Sequence, residues 1–270
     1  MRIMVLNQAP RNPQDTEYDE RVQALLNSYA SPGTQIDLCY PDDYPGAAVG
    51  RAMNAQSVRS ELNYAVSTPA LVRKIVWAER NGYDAVIQSN NFEPGVEAAR
   101  LAVRIPVIGL CRTTMHAAAN LADRIGVTVP FDGYALLTRR MLQAYGLFDF
   151  VTDIRSLGLD GVPRGEEVDR ARPKIQQRAA EVMRQLVDET KAECIVPLGG
   201  AVIPYIVSPT DLEREVGLPV LNPKAIGIRF AEMCVAFGMS HSERAYPRAR
   251  LEDRDFSAFA YGEPVASAGR

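Results

Sequence analysis

Asp84-Ala85-Val86-Ile87-Gln88-Ser89-Asn90-Asn91-Phe92-Glu93-Pro94-Gly95-Val96-Glu97-Ala98-Ala99-Arg100 is the stretch on which the fold turns. Its short apolar run, Ala85 to Ile87, reads as a buried parallel strand. The strand ends in Gln88, Ser89, Asn90 and Asn91. Phe92 to Gly95 then turns the chain into a helix, with Pro94 near its first turn and Glu93 and Glu97 near its N-terminus. In open α/β sheets the ligand crevice lies beyond the carboxyl ends of the strands. Ser89, Asn90 and Asn91 therefore face a ligand, with free helix N–H groups beside them. Ser and Asn also serve as caps and turn formers, so a purely structural role stands beside the functional one.

Working outward, strand and helix alternate. Arg2 to Leu6 reads as a strand ending at Asn7, Glu20 to Ala30 as a helix, and Gln35 to Tyr40 as a strand. Gly50 to Tyr64 reads as a long loop with some helix. Ser67 or Thr68 before Pro69 predicts a helix N-cap, and Gly82 a C-terminal stop. Ile105 to Leu110 is a strand ending in Cys111-Arg112-Thr113-Thr114, with a helix over Met115 to Arg124. Strands follow at Ile125 to Val129, Phe150 to Ile154, Cys194 to Leu198 and Pro219 to Leu221. Helices are predicted at Tyr134 to Tyr145, Glu166 to Lys191, Ser208 to Val216 and Lys224 to Phe237, and the tail from Gly238 is polar and irregular. Alternation with about eight to nine strands predicts parallel sheets covered by helices, as one barrel or two smaller sheets. Tyr83 to Gln88 and Ala192 to Leu198 echo one another, each following a helix and each ending in an open or polar turn. That echo favours two lobes.

Composition narrows the classes of function. The 270 residues carry a net charge of −3 and are 47% hydrophobic. That balance offers no electrostatic footprint for nucleic acid or an anionic membrane. No apolar stretch approaches the roughly 20 residues of a membrane helix. The N-terminus runs straight into strand-like sequence, so a cytoplasmic protein without a signal peptide is expected. Cys39, Cys111, Cys194 and Cys234 form no CxxC pair, and His116 and His241 are the two histidines. A Cys/His zinc site and disulfides are therefore not expected. No P-loop or GxGxxG follows the first strand.

Several segments together resemble the aspartate/glutamate/hydantoin racemase superfamily, in its hydantoin and allantoin racemase branch. They are Gly82 to Ile87, Glu93 to Arg100, Pro106-Val107-Ile108-Gly109 and Met115-His116-Ala117-Ala118. Ser31-Pro32-Gly33-Thr34, Pro219 to Pro223 and Gly238 to Ser242 fit as well. The resemblance implies an α/β fold of two pseudo-twofold-related lobes, each a short parallel sheet flanked by helices, with a cleft between them. Residues 1–105 with 219–270 would form the first lobe and 106–218 the second. It also implies a homo-oligomer that needs no metal or organic cofactor and acts on a small molecule. In such racemases two cysteines, one on each face of a carbon acid, act as base and acid. Here Asn90 stands where the first is expected and Gly199 where the second is. Arg112 occupies what is often an acidic position.

Asn90 cannot carry a proton and Gly199 has no side chain, so two-base racemisation lacks its usual groups. The expectation is a racemase-like enzyme that acts on a small cyclic amide or carboxylic acid by oxyanion stabilisation. A hydrolase, a decarboxylase or a ligand-binding pseudoenzyme on the same fold are the alternatives. The candidate catalytic residues are Asn90, Arg112 as an anion clamp, and Cys111 as the one cysteine near the cleft. Asn7, Ser67, Ser89, Asn91, Thr113, Thr114, Gly199, Gly200 and Ala201 are candidate binding residues. Among proton carriers, His116, Glu93, Asp42, Tyr40 and Tyr205 come into view, with structural roles favoured for His116 and Glu93.

Overall fold

The computed structural model describes residues 1–12, 16–44, 47 and 61–249. Seven strands and eight α-helices alternate among these residues. The first part of the chain runs β1 (Arg2–Leu6), α1 (Thr16–Tyr29), β2 (Gln35–Cys39), α2 (Glu61–Arg80), β3 (Ala85–Gln88), α3 (Val96–Ala102) and β4 (Val107–Gly109). The second runs α4 (Leu110–Ala119), β5 (Ile125–Val129), α5 (Asp132–Ala144), β6 (Val151–Ser156), α6 (Glu167–Thr190), β7 (Cys194–Pro197), α7 (Pro209–Val216) and α8 (Pro223–Ala236). The strands form two separate parallel sheets, ordered β2-β1-β3-β4 and β6-β5-β7. Val220 adds a single parallel bridge to Ile195 at the open side of β7.

The sheets repeat one plan. Asp84 N–H donates to the Arg2 carbonyl and Glu193 N–H to that of Arg124, both at 2.8 Å. Val86 pairs with Pro106 as Ile195 does with Pro219, each at 2.9 Å. Past the strands, Ser89 donates to Leu6 and Leu198 to Thr128, again at 2.8 Å. Register therefore makes Asn90 and Gly199 equivalent, each one residue beyond the last ladder bond of its lobe.

Each sheet is apolar on both sides, as parallel sheets are. Ile3, Val5, Ala85 and Ile87 face α1 and α8, whereas Met4, Leu6 and Val86 face α2 and α3. In the second sheet Val127, Val129 and Val196 pack against α4 and α5, and Ile195 packs against α6 and α7. Two helices thus change lobes. α4 leaves the first sheet and covers the second through Cys111, Met115 and Ala118. α8 leaves Val220 and returns to the first through Ile228, Ala231 and Cys234. They cross closely because Gly227 has no side chain: a Cβ there would lie 2.3 Å from Leu110 Cδ2.

Several expectations are corrected. The helix after β4 begins at Leu110 and ends at Ala119, so Cys111 to Thr114 are helical rather than strand-end residues. Ser67 and Thr68 do not cap a helix. Their hydroxyls donate back to the Tyr64 carbonyl, and α2 runs from Glu61 through Pro69. Such back-bonding lets Ser and Thr sit inside a helix. The sheets do not divide at 105/106, because β4 pairs with β3. Nor does residue 219 rejoin the first sheet, since Val220 bridges to the second. Of the loop read over Gly50 to Tyr64, residues 50–60 lie outside the described residues, as do 250–270 of the tail.

The described tail closes an edge. β4 is the last strand of its sheet, and Val107 N–H, which would otherwise face solvent, donates to His241 Nε2 at 2.7 Å. The bond needs an unprotonated ring nitrogen. Burial, with Arg100 also lowering it, brings the His241 pKa down to about 4 from the usual 6.5. Between those pH values the unfolded chain binds a proton that the folded chain does not, so stability rises with pH across the window and is lost on acidification. His241→Gln, which keeps an acceptor but does not titrate, should flatten the fall in denaturation midpoint between pH 6.5 and pH 4. An unaltered acid limb would refute the role of this ring.

Candidate active site

The turn after β3 is built from its own side chains. Asn90 Oδ1 accepts from Phe92 N–H at 2.8 Å, and Gln88 Oε1 accepts from Asn90 N–H at 2.6 Å. Asn90 Nδ2 donates to Gln8 Oε1 at 2.5 Å. Gln8 in turn lies 3.5 Å from Ser67 Oγ, so α2 backs the turn through buried Ser67. An amide carries two N–H donors, and this chain of bonds uses one of those of Asn90.

Glu93 has another task than the one read from the sequence. It is buried, sits at φ +56°, and accepts from Arg112 N–H at 2.8 Å and Tyr145 O–H at 2.6 Å. It therefore caps α4, the next helix but one in the chain order of elements, and anchors the turn to the second lobe. Its carboxyl carbon fills the space a Gly109 side chain would take, 2.3 Å from where that Cβ would stand. Burial raises its pKa, opposed by the Tyr145 and backbone hydrogen bonds.

Across the cleft, the second lobe brings its own strand end. Gly199 has φ +123°, and a Cβ on it would stand 2.3 Å from Pro130 Cδ. No thiol-bearing residue fits there without moving the Pro130 ring. Gly200 N–H donates to Asn91 Oδ1 at 3.1 Å, a direct bond between lobes. Asn91 is 1% exposed and its Nδ2 has no partner.

The residue that sequence reasoning missed is Lys224, in the first turn of α8. Asn222 caps that helix, accepting from Lys224 and Ala225 N–H, and Pro223 opens it. The Lys224 side chain is 2% exposed and crosses to the first lobe. Its Nζ donates to the Ser89 carbonyl, and Ser89 Oγ lies 2.7 Å away. Ser89 Oγ is also 3.4 Å from the hydroxyl of buried Tyr205, whose ring centroid is 5.0 Å from Nζ. Burial lowers the Lys224 pKa to about 7. One signal was available in the sequence. A cation in the first turn opposes the helix dipole, and residues that break a local rule cluster at functional sites.

Ser89, Asn90, Asn91, Gly199 and Gly200 are thus brought together. Ala201 is exposed in the following turn, and Asn7 lies toward β2, its side chain on Tyr40. Cys111 and Thr114 are buried inside the second lobe, 1% and 0% exposed. Burial first, and the Glu93 charge second, push the Cys111 thiol well up, so it stays protonated and unreactive. Thr113 is half-buried on α4. The Arg112 guanidinium lies over the Tyr145 ring at 5.3 Å. His116 is on the outer side of α4, and burial and Arg112 lower its pKa. Tyr40 donates to Asp19, and Asp42 is exposed beside Arg73 and Lys74.

A family model described as Asp/Glu/hydantoin racemase matches residues 16–231. The chain belongs to the Asp/Glu/hydantoin racemase family. Among curated relatives, the hydantoin racemase of Pseudomonas sp. (strain NS671) is 26% identical over 196 residues, covering 73% of this chain and 76% of that protein. The hydantoin racemase of Rhizobium meliloti is 26% identical over 228 residues, covering 83% and 87%. Among solved structures, the allantoin racemase from Klebsiella pneumoniae superposes with a TM-score of 0.77 at 21% identity, over 96% of this chain and 98% of that one. Unliganded arylmalonate decarboxylase shares the fold more distantly, with a TM-score of 0.53 at 14% identity over 87% and 92%. This racemase-family member is a racemase-like protein, and its fold is the two-sheet α/β fold expected from the sequence. Among its described residues no helix is long and apolar enough to cross a membrane.

The buried amine has a measurable cost. From pH 7 to about 10.5 the unfolded chain keeps a proton at Lys224 that the folded chain releases, so stability rises with pH there. Below pH 7 both states are protonated and the whole penalty remains. The melting temperature of Lys224→Met relative to the parent should therefore be higher at pH 7 than at pH 10. A difference independent of pH would show that the amine is not desolvated.

Proposed function

We propose that this chain acts on a small cyclic amide or carboxylic acid by stabilising an oxyanion, without the exchange of a proton between two thiols. The observation that carries this reading is the equivalence of Asn90 and Gly199 at facing strand ends. A 1,1-proton transfer needs two groups of suitable pKa flanking one carbon. An amide neither gives nor takes that proton at neutral pH, and glycine offers nothing. What these ends supply is amide donors, the side chain of Asn90 and the unpartnered Nδ2 of Asn91. A substrate carbonyl or carboxylate held there would gain as negative charge develops on its oxygen, a contribution of about 3–4 kcal/mol per well-placed donor.

Cyclic ureides are the first class to consider, because relatives carry the names hydantoin racemase and allantoin racemase. One observation favours a second outcome for the same held carbonyl. Lys224 is a single group able to move a proton near neutrality, and it stands on one side of the gap. Ring opening or decarboxylation needs one acid–base group, whereas inversion at carbon needs two.

Purified protein assayed against 5-substituted hydantoins, open and cyclic ureides and 2-substituted malonates should turn over at least one class, read by chiral chromatography and mass spectrometry. Asn90→Ala should lower kcat/KM on that substrate about 100-fold. Unchanged kinetics in Asn90→Ala would remove the turn from the site. Tight binding with no product over hours would make the protein a ligand-binding relative instead.

A further inference from the structure

We propose that Ser89 and Lys224 form a serine–lysine dyad, in which Ser89 Oγ is the nucleophile for a small amide or ester carbonyl held in the interlobe gap. The proposal rests on the cleft reading above and names the atom that attacks. Four observations carry it. Ser89 Oγ and Lys224 Nζ are 2.7 Å apart, the reach required of a nucleophile and its base. The amine is enclosed, with Tyr205 the titratable group that faces it, from the turn before α7. Burial raises the Tyr205 pKa, so that hydroxyl stays neutral, 3.4 Å from Ser89 Oγ. Asn91 Nδ2 is a buried donor without a partner beside the same atoms: Gly200, whose N–H is bound by Asn91 Oδ1, would place a Cβ within 3.0 Å of both Asn91 Oδ1 and Lys224 Nζ. Finally, Asn90 and Gly199, next in the chain to Ser89 and Gly200, are half-exposed, so solvent reaches both strand ends beside the dyad.

Neutral Lys224 has two N–H donors and one lone pair. One donor is spent on the Ser89 carbonyl, and the other donor and the lone pair remain within 2.7 Å of Ser89 Oγ. In the attack the lone pair takes the Oγ proton. A pKa of about 7 supplies enough neutral amine for this near neutrality. The step balances as acyl transfer. Oγ bonds to the carbonyl carbon while its proton passes to Nζ, and the oxyanion is met by Asn91 Nδ2. The C–N or C–O bond then breaks, and the Lys224 ammonium returns the proton to the leaving nitrogen or oxygen. Water, deprotonated by Lys224 in turn, bonds to the acyl carbon; the C–Oγ bond breaks, the Lys224 ammonium returns the proton to Ser89 Oγ, and a carboxylic acid leaves.

A fluorophosphonate tests the dyad directly, since an activated serine displaces its fluoride and keeps the phosphonyl group. Mass spectrometry of the full-length protein should find one adduct, on the peptide holding Ser89, and none in Ser89→Ala. Labelling of the unaltered protein should accelerate through a single inflection near pH 7. Lys224→Met should slow labelling at pH 8 by about 100-fold or more. The dyad is overturned by the lack of a Ser89 adduct at pH 9, by a labelling rate flat from pH 6 to 9, or by equal rates in Lys224→Met. On a substrate that is turned over, retained activity in Ser89→Ala with loss in Asn90→Ala sinks the dyad and spares the cleft. Full activity in both variants sinks the two together.

Discussion

Neither sheet of this protein covers its own inner face. β4 and the Val220 bridge each end at the cleft, and the helix that follows crosses to the other lobe. Parallel strands buried on both sides expose a costly apolar face if a helix is missing, at about 25 cal/mol for each Å² left in water. The exchange of α4 and α8 removes that exposure for both sheets at once. It also holds the carboxyl ends of the strands against each other. The lobes therefore cannot part without uncovering two cores.

That exchange explains why a lysine is buried where chemistry is expected. α8 starts at the cleft because it must travel from the second sheet to the first. Its first turn is thus carried past the end of β3, and Lys224 is delivered to Ser89. α4 starts at the mirrored place, where Glu93 holds its N-terminus and Tyr145 holds Glu93. The two crossings are equivalent in topology and opposite in charge. One puts a carboxylate on helix N–H groups, where it is stabilised. The other puts an ammonium where the dipole and burial both disfavour it, which leaves the amine ready to give up its proton.

The alternation of apolar runs with capped, amphipathic segments made the fold legible. Ala85 to Ile87, Ile125 to Val129 and Cys194 to Val196 are too short and too apolar for anything but buried parallel strands. Ser208 and Asn222 each cap the helix that follows them, and Gly82 ends α2 at φ +74°. The start of α4 was misread because Leu110 continues the apolar run of β4, and nothing local says that hydrogen bonding has changed from sheet to helix. Its cap, Glu93, lies far back in the chain. The same gap in local information turned Cys111 into a suspected cleft thiol, when it points into the second core.

By itself, the sequence determined that the chain is α/β, that its strands end in polar or glycine turns, and that the residues at Asn90 and Gly199 cannot carry a proton between them. Those are properties of neighbouring residues, and short-range periodicity and side-chain chemistry record them. Only the tertiary structure decided what surrounds these turns. Ser89 and Lys224 are 135 positions apart, and Asn91 and Gly200 are 109 apart. An amine's pKa and a hydroxyl's reactivity depend on burial and on partners within about 3 Å, and packing alone sets both.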